Sequence, residues 1–279
     1  MDLYEIIKTI VLGIVEGVTE WLPISSTGHL IIVDEFLKLK GSDDFKEMYD
    51  VVIQLGAILA VVVLYFKRLW IVGKNEDTGK LSWKKDKLKL WAKIIVACIP
   101  AAVIGLLFDD KIDELFYNPY CVSVMLIVYG VAFILIEIRN KKREAKIVDV
   151  AGITFRTALI IGAFQVLALI PGTSRSGATI IGAMLIGTSR TTAAEFTFFL
   201  AIPTMLGASG LKLVKFLAAG NTFSRFEIYI LLIGMLTAYI VSMLVIKFLM
   251  SFIKKHDFIP FGVYRIILGI AVLLYFTLK

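Results

Sequence analysis

Long apolar runs separated by short polar segments dominate the pattern of this chain. Each run is close to the ~20 residues that a helix needs to cross the hydrocarbon core of a bilayer. The runs cover residues 51–66, 94–108, 121–138, 196–217, 228–250 and 260–278. Apolar residues make up 58% of the chain, well above their share in soluble domains, and the mean hydropathy is +0.85. The pattern predicts an all-α polytopic membrane protein.

The charged residues predict how the runs are oriented. The net charge of +7 would suggest nucleic acid in a soluble protein. Here the basic side chains bunch in short loops, so we expect a bilayer and no nucleic acid as partner. The basic loops cover 67–93, 139–146 and 247–255, and loop 109–114 is net acidic. The positive-inside rule puts the basic loops in the cytoplasm and the acidic loop outside, with Gly41 and Gly220 outside and Gly79 in the cytoplasm.

The first helix argues against a cleavable signal peptide, and the cysteines argue against a disulfide framework or a zinc site. Glu16 and Glu20 interrupt the first apolar helix, which also lacks a basic leader and a small-residue cleavage site. We therefore expect no cleavable signal peptide. Cys98 and Cys121 fall inside predicted spans, where they indicate packing rather than a disulfide framework or a zinc site.

Two polar stretches, 13–29 and 162–177, are distorted copies of each other. An offset of 149 residues pairs Gly13 with Gly162, Glu16 with Gln165, Ser25 with Ser174, Thr27 with Ser176 and Gly28 with Gly177. Three predicted spans follow each copy, and an odd number of spans per half forces the halves into opposite orientations. We therefore predict an inverted-topology repeat within one membrane domain, with the first repeat over 1–146 and the second over 147–279.

Each polar stretch predicts a re-entrant helical hairpin. In the first, over 3–39, Pro23 stops a helix over 3–22 and a short second helix follows. The second hairpin covers 155–187. Non-helical backbone at membrane depth requires surrounding protein or a water-filled cavity. We expect the first hairpin to enter from outside and the second from the cytoplasm, so that the two turns meet near the midplane.

Glu16 and Glu20 are the first candidates for chemistry. They are four residues apart and therefore share one helix face. One interpretation makes them satisfied polar anchors near a helix end. Carboxylates at membrane depth are costly, however, which favours a functional role. We expect half of an Mg²⁺ or Ca²⁺ site that substrate phosphates and water would complete. Alternatively, one of them orients His29 or acts as a general base.

Three consecutive hydroxyl residues follow Pro23 in the turn of the first hairpin: Ser25, Ser26 and Thr27. One of them is expected to be an ordinary N-cap. Three in a row exceed what capping needs, and a helix N-terminus favours bound phosphate. A serine near His29 is also a plausible nucleophile.

The second turn repeats this design with Thr173, Ser174 and Ser176, and adds Arg175. The guanidinium group offers a planar fork of donors that suits phosphate oxygens. An arginine between two serines is poorly explained as an anchor at the membrane interface. The chain lacks a Walker motif, so nucleotide binding is unsupported.

These motifs resemble those of the undecaprenyl-pyrophosphate phosphatase family, which is linked to bacitracin resistance. The similar blocks are 16–29, 53–60 and 171–177. The resemblance implies hydrolysis of the C55 isoprenoid diphosphate to its monophosphate for peptidoglycan synthesis, a divalent metal, and a pocket at the outer face of the plasma membrane. It implies catalytic roles for Ser26, His29, Arg175 and Glu20, and metal binding by Glu16 and Glu20. Substrate-binding roles are expected for Ser25, Thr27, Gly28, Gln54, Thr173, Ser174, Ser176 and Gly177.

Several alternatives stay open. Opposed hairpins in inverted repeats are also transporter architecture, so the chain could carry a lipid across the membrane, alone or in addition to hydrolysis. Either Ser26, with His29 as its base, or His29 itself could attack phosphorus; Ser26 is favoured because it lies three residues before His29. The metal used, the preferred prenyl length and the oligomeric state, including a homodimer, are also open.

Overall fold

The computed structural model describes residues 3–74 and 81–279. Almost all regular structure in these residues is helical. The α-helices are α1 Leu3–Thr19, α2 Ser26–Phe36, α3 Asp43–Val52, α4 Gln54–Leu64, α5 Phe66–Leu69, α6 Lys85–Phe116, α7 Pro119–Asn140, α8 Phe155–Val166, α9 Arg175–Leu185, α10 Arg190–Ala218, α11 Arg225–Phe252 and α12 Ile259–Leu278. Single 3-10 turns cover Val150–Gly152 and Leu167–Leu169.

Six helical segments of the described chain are long and apolar enough to cross a membrane. They are Asp43–Leu64, Lys85–Phe108, Pro119–Asn140, Arg190–Ala218, Arg225–Phe252 and Ile259–Leu278. Each of them overlaps one predicted apolar run. Large apolar side chains such as Leu232, Leu244 and Ile267 are exposed on these helices, as expected for a surface that faces lipid. The predicted all-α polytopic membrane protein is confirmed.

The first span begins earlier than its apolar run because α3 is amphipathic. This helix buries Phe45 and Tyr49 and exposes Asp43 and Asp44, so its sequence is not continuously apolar. Ile53 joins it to α4, which carries the apolar run.

The structure differs from the sequence prediction in two further details. A two-stranded antiparallel sheet, β1 Val72–Lys74 with β2 Leu81–Trp83, lies in the first basic loop. Strands of three residues are too short to produce a readable alternation of polar and apolar positions. Helix α1 ends at Thr19 rather than at position 22, and the fully buried Trp21 instead packs edge-to-face against Phe198. Gly79, expected in the cytoplasm, lies outside the described residues.

The helices pack in pairs. Helix α1 packs on α11 as α8 packs on α6, and α7 packs on α12. The closest approaches use glycine, since small residues let helix backbones meet in membrane proteins. A Cβ atom on Gly13 would lie 2.8 Å from the Gly234 carbonyl oxygen, and one on Gly162 would overlap the Ala97 carbonyl.

The start of α1 lies close to the chain that follows α2. Lys8 Nζ on the first turns of α1 donates to the Lys38 carbonyl beyond α2 at 2.7 Å. The Glu5 carboxylate accepts from the Lys40 amide at 3.1 Å, and it also pairs with Lys8 at 2.9 Å.

The segment before α8 and the end of α9 contact helices α6 and α7, which adjoin basic loops. Lys93 Nζ, near the start of α6, donates to the Ala151 carbonyl just before α8 at 3.2 Å. Asn140 at the end of α7 donates to the Met184 carbonyl near the end of α9, also at 3.2 Å. The turn between α1 and α2 meets the turn between α8 and α9 inside the molecule, where the candidate site lies.

Candidate functional site

In both turns, a serine with a strained backbone conformation immediately precedes the next helix. Ser25 precedes α2 with φ 74°, and Ser174 precedes α9 with φ 73°. Few residues other than glycine adopt this left-handed region. The Ser25 hydroxyl accepts from the Gly28 amide at 3.3 Å, and the Ser174 hydroxyl accepts from the Gly177 amide at 3.1 Å. Ser25 and Ser174 are therefore N-caps.

The two turns contact each other directly. The Ser176 hydroxyl donates to the Glu20 carbonyl oxygen at 3.2 Å. It also lies 3.1 Å from the Ser174 hydroxyl. The bond to Glu20 joins the buried start of α9 to the start of the first turn, where Glu20 follows α1.

The Glu20 carboxylate is the centre of the site. Its Oε2 accepts from the Ser26 hydroxyl at 2.8 Å, and its Oε1 accepts from Arg175 Nη2 at 2.9 Å. Arg175 Nη1 donates to the Thr197 carbonyl on α10 at 3.1 Å. Buried charges are tolerated when they are paired and hydrogen-bonded. Residues 155 positions apart thus neutralise each other, and a serine hydroxyl lies beside them.

A cavity of about 200 Å³ opens against this cluster. Among the predicted site residues, its wall contains Glu20, Ser26, Thr27, Gln54, Ser174 and Arg175. Helices α8 and α10 add Gln165 and Thr204, whose hydroxyl lies 3.5 Å from Gln165 Oε1. The wall therefore combines polar groups from several elements with apolar residues such as Leu169 and Met205. The other predicted site residues, Glu16, Ser25, Gly28, His29, Thr173, Ser176 and Gly177, do not line it.

Glu16 lies one helical turn before Glu20 and is completely buried. Within the described chain, neither of its carboxylate oxygens has a hydrogen-bond partner. Its charged neighbours are Glu20, Asp50 and Arg175. An unpaired buried carboxylate is costly, and a bound cation would remove that cost. The donor chemistry thus fits a hard divalent cation.

The protein side chains would supply only part of such a metal site. The described residues contain no group of three or more His, Cys, Asp or Glu side chains that could hold a metal ion. Mg²⁺ commonly takes one or two carboxylates and completes its shell with water and substrate phosphates. Glu16 and Glu20 are the two carboxylates that could contribute to such a site.

His29 does not line the cavity. Its Nδ1 lies 2.7 Å from the Ser25 carbonyl, and its Nε2 lies 2.7 Å from the Tyr264 hydroxyl on α12. A carbonyl can only accept, so Nδ1 carries a proton; in the neutral ring, Nε2 then accepts from Tyr264. In the part of the chain that the structure describes, Ser26 hydrogen-bonds to Glu20 and makes no bond to His29. The expected Ser26–His29 pair is therefore not formed, although the two residues share a short helix.

Arg265 is a site residue that the sequence analysis missed. It lies on α12, is completely buried, and bonds to backbone carbonyls of both turns. Its Nη1 donates to Pro23 at 3.1 Å, and its Nη2 donates to Gly172 at 2.7 Å and to Thr173 at 2.9 Å. The signal was available, because a lone arginine inside an apolar run indicates a function by default.

The sequence of this chain matches a known protein family. A sequence model described as bacitracin resistance protein BacA matches residues 9–271. The chain belongs to that family. The resemblance seen in the three sequence blocks is thereby confirmed.

Several relatives of this BacA-family chain are named as enzymes. A protein of Lachnoclostridium phytofermentans named undecaprenyl-diphosphatase is 61% identical and covers 100% of this chain and 99% of its own length. One from Enterococcus faecalis, also named undecaprenyl-diphosphatase, is 60% identical over 98% of both chains. Undecaprenyl-diphosphatase 1 of Clostridium acetobutylicum is 59% identical over the full length of both. These names favour an enzyme over a transporter.

Proposed function

We propose that this protein hydrolyses undecaprenyl diphosphate to undecaprenyl phosphate and inorganic phosphate, in the cavity beside Glu20. The proposal rests on one observation: Ser26 and Arg175 both hydrogen-bond to the buried Glu20 carboxylate. The family match and the names of the relatives supply the substrate. The reaction returns the carrier lipid to peptidoglycan synthesis, which accounts for the link between this family and bacitracin resistance.

Ser26 is the proposed nucleophile. Its hydroxyl already donates to Glu20, so the carboxylate can accept the proton as the serine oxygen attacks the terminal phosphorus. The new Oγ–P bond replaces the bond to the bridging oxygen, and the lipid monophosphate leaves. Water then cleaves the phosphoserine and releases inorganic phosphate, and the serine oxygen recovers a proton. Glu20 takes the role of base that the sequence analysis had favoured for His29.

Arg175 and the two helix N-termini provide positive potential for the transferred phosphoryl group. Phosphoryl transfer depends mainly on positioning and on stabilisation of charge. Arg175 has a planar fork of donors that suits phosphate oxygens. Its Nη1 and Nη2 already bond to Thr197 and Glu20, whereas its Nε has no partner in the described chain. Helices α2 and α9 begin beside the cavity at Ser26 and Arg175, so both dipoles favour an anion there.

Mg²⁺ or Ca²⁺ is the proposed cofactor, held by Glu16 and Glu20. When bound, the cation would neutralise part of the diphosphate charge. The orphaned oxygens of Glu16 support this assignment, because no protein donor satisfies them in the described residues. His29 stays the alternative nucleophile. Its bonds to the Ser25 carbonyl and to Tyr264 favour a positioning role for its ring.

We also propose the inverted repeat, with halves 1–146 and 147–279, and the two re-entrant hairpins. The contacts of Lys8 with Lys38 and of Asn140 with Met184 support hairpins that start and finish at opposite ends of the molecule. The multi-pass chain would lie in the plasma membrane with its basic loops inside and the cavity open to the outer face. The isoprenoid tail could then stay in lipid while the head group enters.

Phosphate release from undecaprenyl diphosphate by the purified protein tests the proposed function. We expect turnover with Mg²⁺ or Ca²⁺, loss of turnover with excess chelator, and recovery when the metal is returned. A Ser26→Ala preparation serves as the blank for contaminating phosphatases. Absence of phosphate release by the wild type under every divalent cation would refute the assignment.

A further inference from the structure

A second, larger cavity lies at the opposite end of α9 from Arg175. Its volume is about 790 Å³, within the range of ligand pockets. It is enclosed by the ends of α7, α9 and α11, the start of α10 and the loop between α7 and α8. We call it the basic end cavity. It shares no lining residue with the cavity beside Glu20.

Positive charge dominates the basic end cavity. Arg139, Arg143, Lys146 and Lys254 line it, all four are exposed, and among the described residues none of the four forms an ion pair. Arg139 uses one donor on the Leu185 carbonyl at 3.3 Å. Four cations around one space create a positive potential that attracts an anion.

The acidic residue deepest in this wall does not offset that charge. Glu137 accepts from Arg190 Nε at 2.8 Å and from Arg190 Nη2 at 2.5 Å, so this arginine already neutralises it. Its Oε1 also accepts from the Phe258 amide at 3.0 Å. Glu144 is the remaining carboxylate of the wall and is exposed.

An unsatisfied hydroxyl points independently to a ligand. Thr188 lines the basic end cavity and is only 4% exposed, yet its hydroxyl has no hydrogen-bond partner in the described chain. Buried polar groups nearly always have a partner, so an unpaired one calls for an explanation. A ligand oxygen that accepts from Thr188 and faces the four cations would satisfy both requirements. Phosphate oxygens do so.

The surroundings favour a phosphate that is carried by a lipid. Leu185 and Ile186 provide an apolar part of the wall. Ile138, which follows Glu137, and Val148, two residues after Lys146, are 59% and 70% exposed. A ligand with a phosphate group and acyl chains could place its charge in the cavity and its chains along this apolar surface. Basic pockets between membrane helices at the cytoplasmic side bind anionic head groups in this way.

We propose that the basic end cavity binds the phosphate of an anionic phospholipid such as phosphatidylglycerol. The same chemistry would recognise free inorganic phosphate, and the experiment separates the two sources. Occupancy would fix the end of α9, the helix whose first residue is Arg175, and would thereby connect the lipid composition to the rigidity of the site.

Binding of defined lipids to the detergent-purified full chain tests the proposal by native mass spectrometry. The probes are phosphatidylglycerol, phosphatidylcholine of the same acyl chains, and inorganic phosphate as a competitor. The test variant is Arg143→Gln/Lys146→Gln, and the matched control is Lys84→Gln/Lys85→Gln. The control removes two exposed charges of another basic loop, outside the cavity. Thr188→Val tests the hydroxyl without changing the charge.

We expect one tight phosphatidylglycerol site that the double variant weakens about 30-fold, since each basic residue is worth about 1 kcal/mol to an anionic head group. The control should change affinity less than about twofold by the same reasoning, and Thr188→Val should weaken phosphatidylglycerol but not phosphatidylcholine. Equal affinities in the test and control variants would overturn the site. Displacement by millimolar inorganic phosphate with no preference for phosphatidylglycerol would overturn the lipid as the ligand. None of these outcomes depends on hydrolysis.

Discussion

Ser25 and Ser174, 149 residues apart, adopt the same backbone conformation and cap their helices with the same bond. Each accepts from the amide of the glycine three positions later. The next residue in each copy begins the helix and reaches the Glu20 carboxylate: Ser26 in one and Arg175 in the other. The repeated cap thus holds two different functional side chains in corresponding positions.

Ser26→Ala should abolish turnover, whereas Ser25→Ala should retain part of it. Ser26 donates to Glu20 at the cavity, while Ser25 supplies a helix cap whose loss costs about 1 kcal/mol of stability. Initial rates of phosphate release and thermal unfolding in detergent separate the two effects. Rapid acid quenching with labelled substrate should trap an acid-stable phosphoserine in the wild type. An acid-labile adduct that survives Ser26→Ala would transfer the nucleophile to His29.

Arg175→Lys should be nearly as damaging as Arg175→Ala, although lysine keeps the charge. Arg175 donates from Nη1 to the Thr197 carbonyl and from Nη2 to Glu20. The single ammonium group of a lysine cannot reproduce this planar pair of donors. The loss of one such donor to a transition state typically lowers kcat by about 10²–10³. Steady-state kinetics with the exposed Arg156→Lys as control checks this. A lysine variant with more than half of the wild-type turnover would make Arg175 an anchor.

Glu16→Gln should raise the metal concentration for half-maximal activity on the order of tenfold. The folded state should not suffer, because the substitution removes a buried charge that has no hydrogen-bond partner in the described chain. Glu20→Gln should shift the metal titration as well and also lower the maximal rate, since it removes the proton acceptor of Ser26. Glu35→Gln, at a surface ion pair with Lys279, is the matched control. Unchanged metal titrations despite lost activity would assign both carboxylates to proton transfer.

Arg265→Met should destabilise the fold by about 3 kcal/mol or more, because carbonyls of both turns lose their donor inside the protein. Arg265→Lys should recover only part of the loss, since an ammonium cannot reach carbonyls on several sides. Thermal unfolding in detergent measures both, with the exposed Arg225→Met as control. A midpoint for Arg265→Met within error of that control would show that the turns hold without it.

Cysteine labelling in intact cells should report opposite sides for Thr222 and Lys142. Both are exposed, whereas Gly41 and Gly220 have positive φ angles that a cysteine would strain. In a background without Cys98 and Cys121, an impermeant maleimide should label Thr222→Cys from outside. Lys142→Cys should react only after permeabilisation. Labelling of Lys142→Cys in intact cells would reverse the orientation.

The membrane architecture could be predicted from sequence because it depends on composition over long windows. In lipid, every backbone N–H and C=O group must find a hydrogen-bond partner within the protein. An apolar run such as 228–250 therefore forms a transmembrane helix. The amphipathic start of the first span and the three-residue strands were missed because neither produces a long apolar or alternating pattern.

The site could be predicted in its residues but not in its pairings. Costly polar groups inside apolar sequence singled out Glu20, Ser26 and Arg175. Spacing on a helix suggested His29 as the partner of Ser26, but the turn brings Glu20 to it instead. The bond between His29 and Tyr264 joins residues 235 positions apart, and no local pattern reports such a contact.

The correspondence of Ser26 with Arg175 has a consequence for how the chain could have been assembled from parts. The first half supplies the Ser26 hydroxyl and the carboxylates of the site, and the second half supplies the Arg175 guanidinium group. Two identical copies of either half would lack a component. Fragments 1–146 and 147–279 should therefore be inactive when produced separately and should complement each other only as an unlike pair.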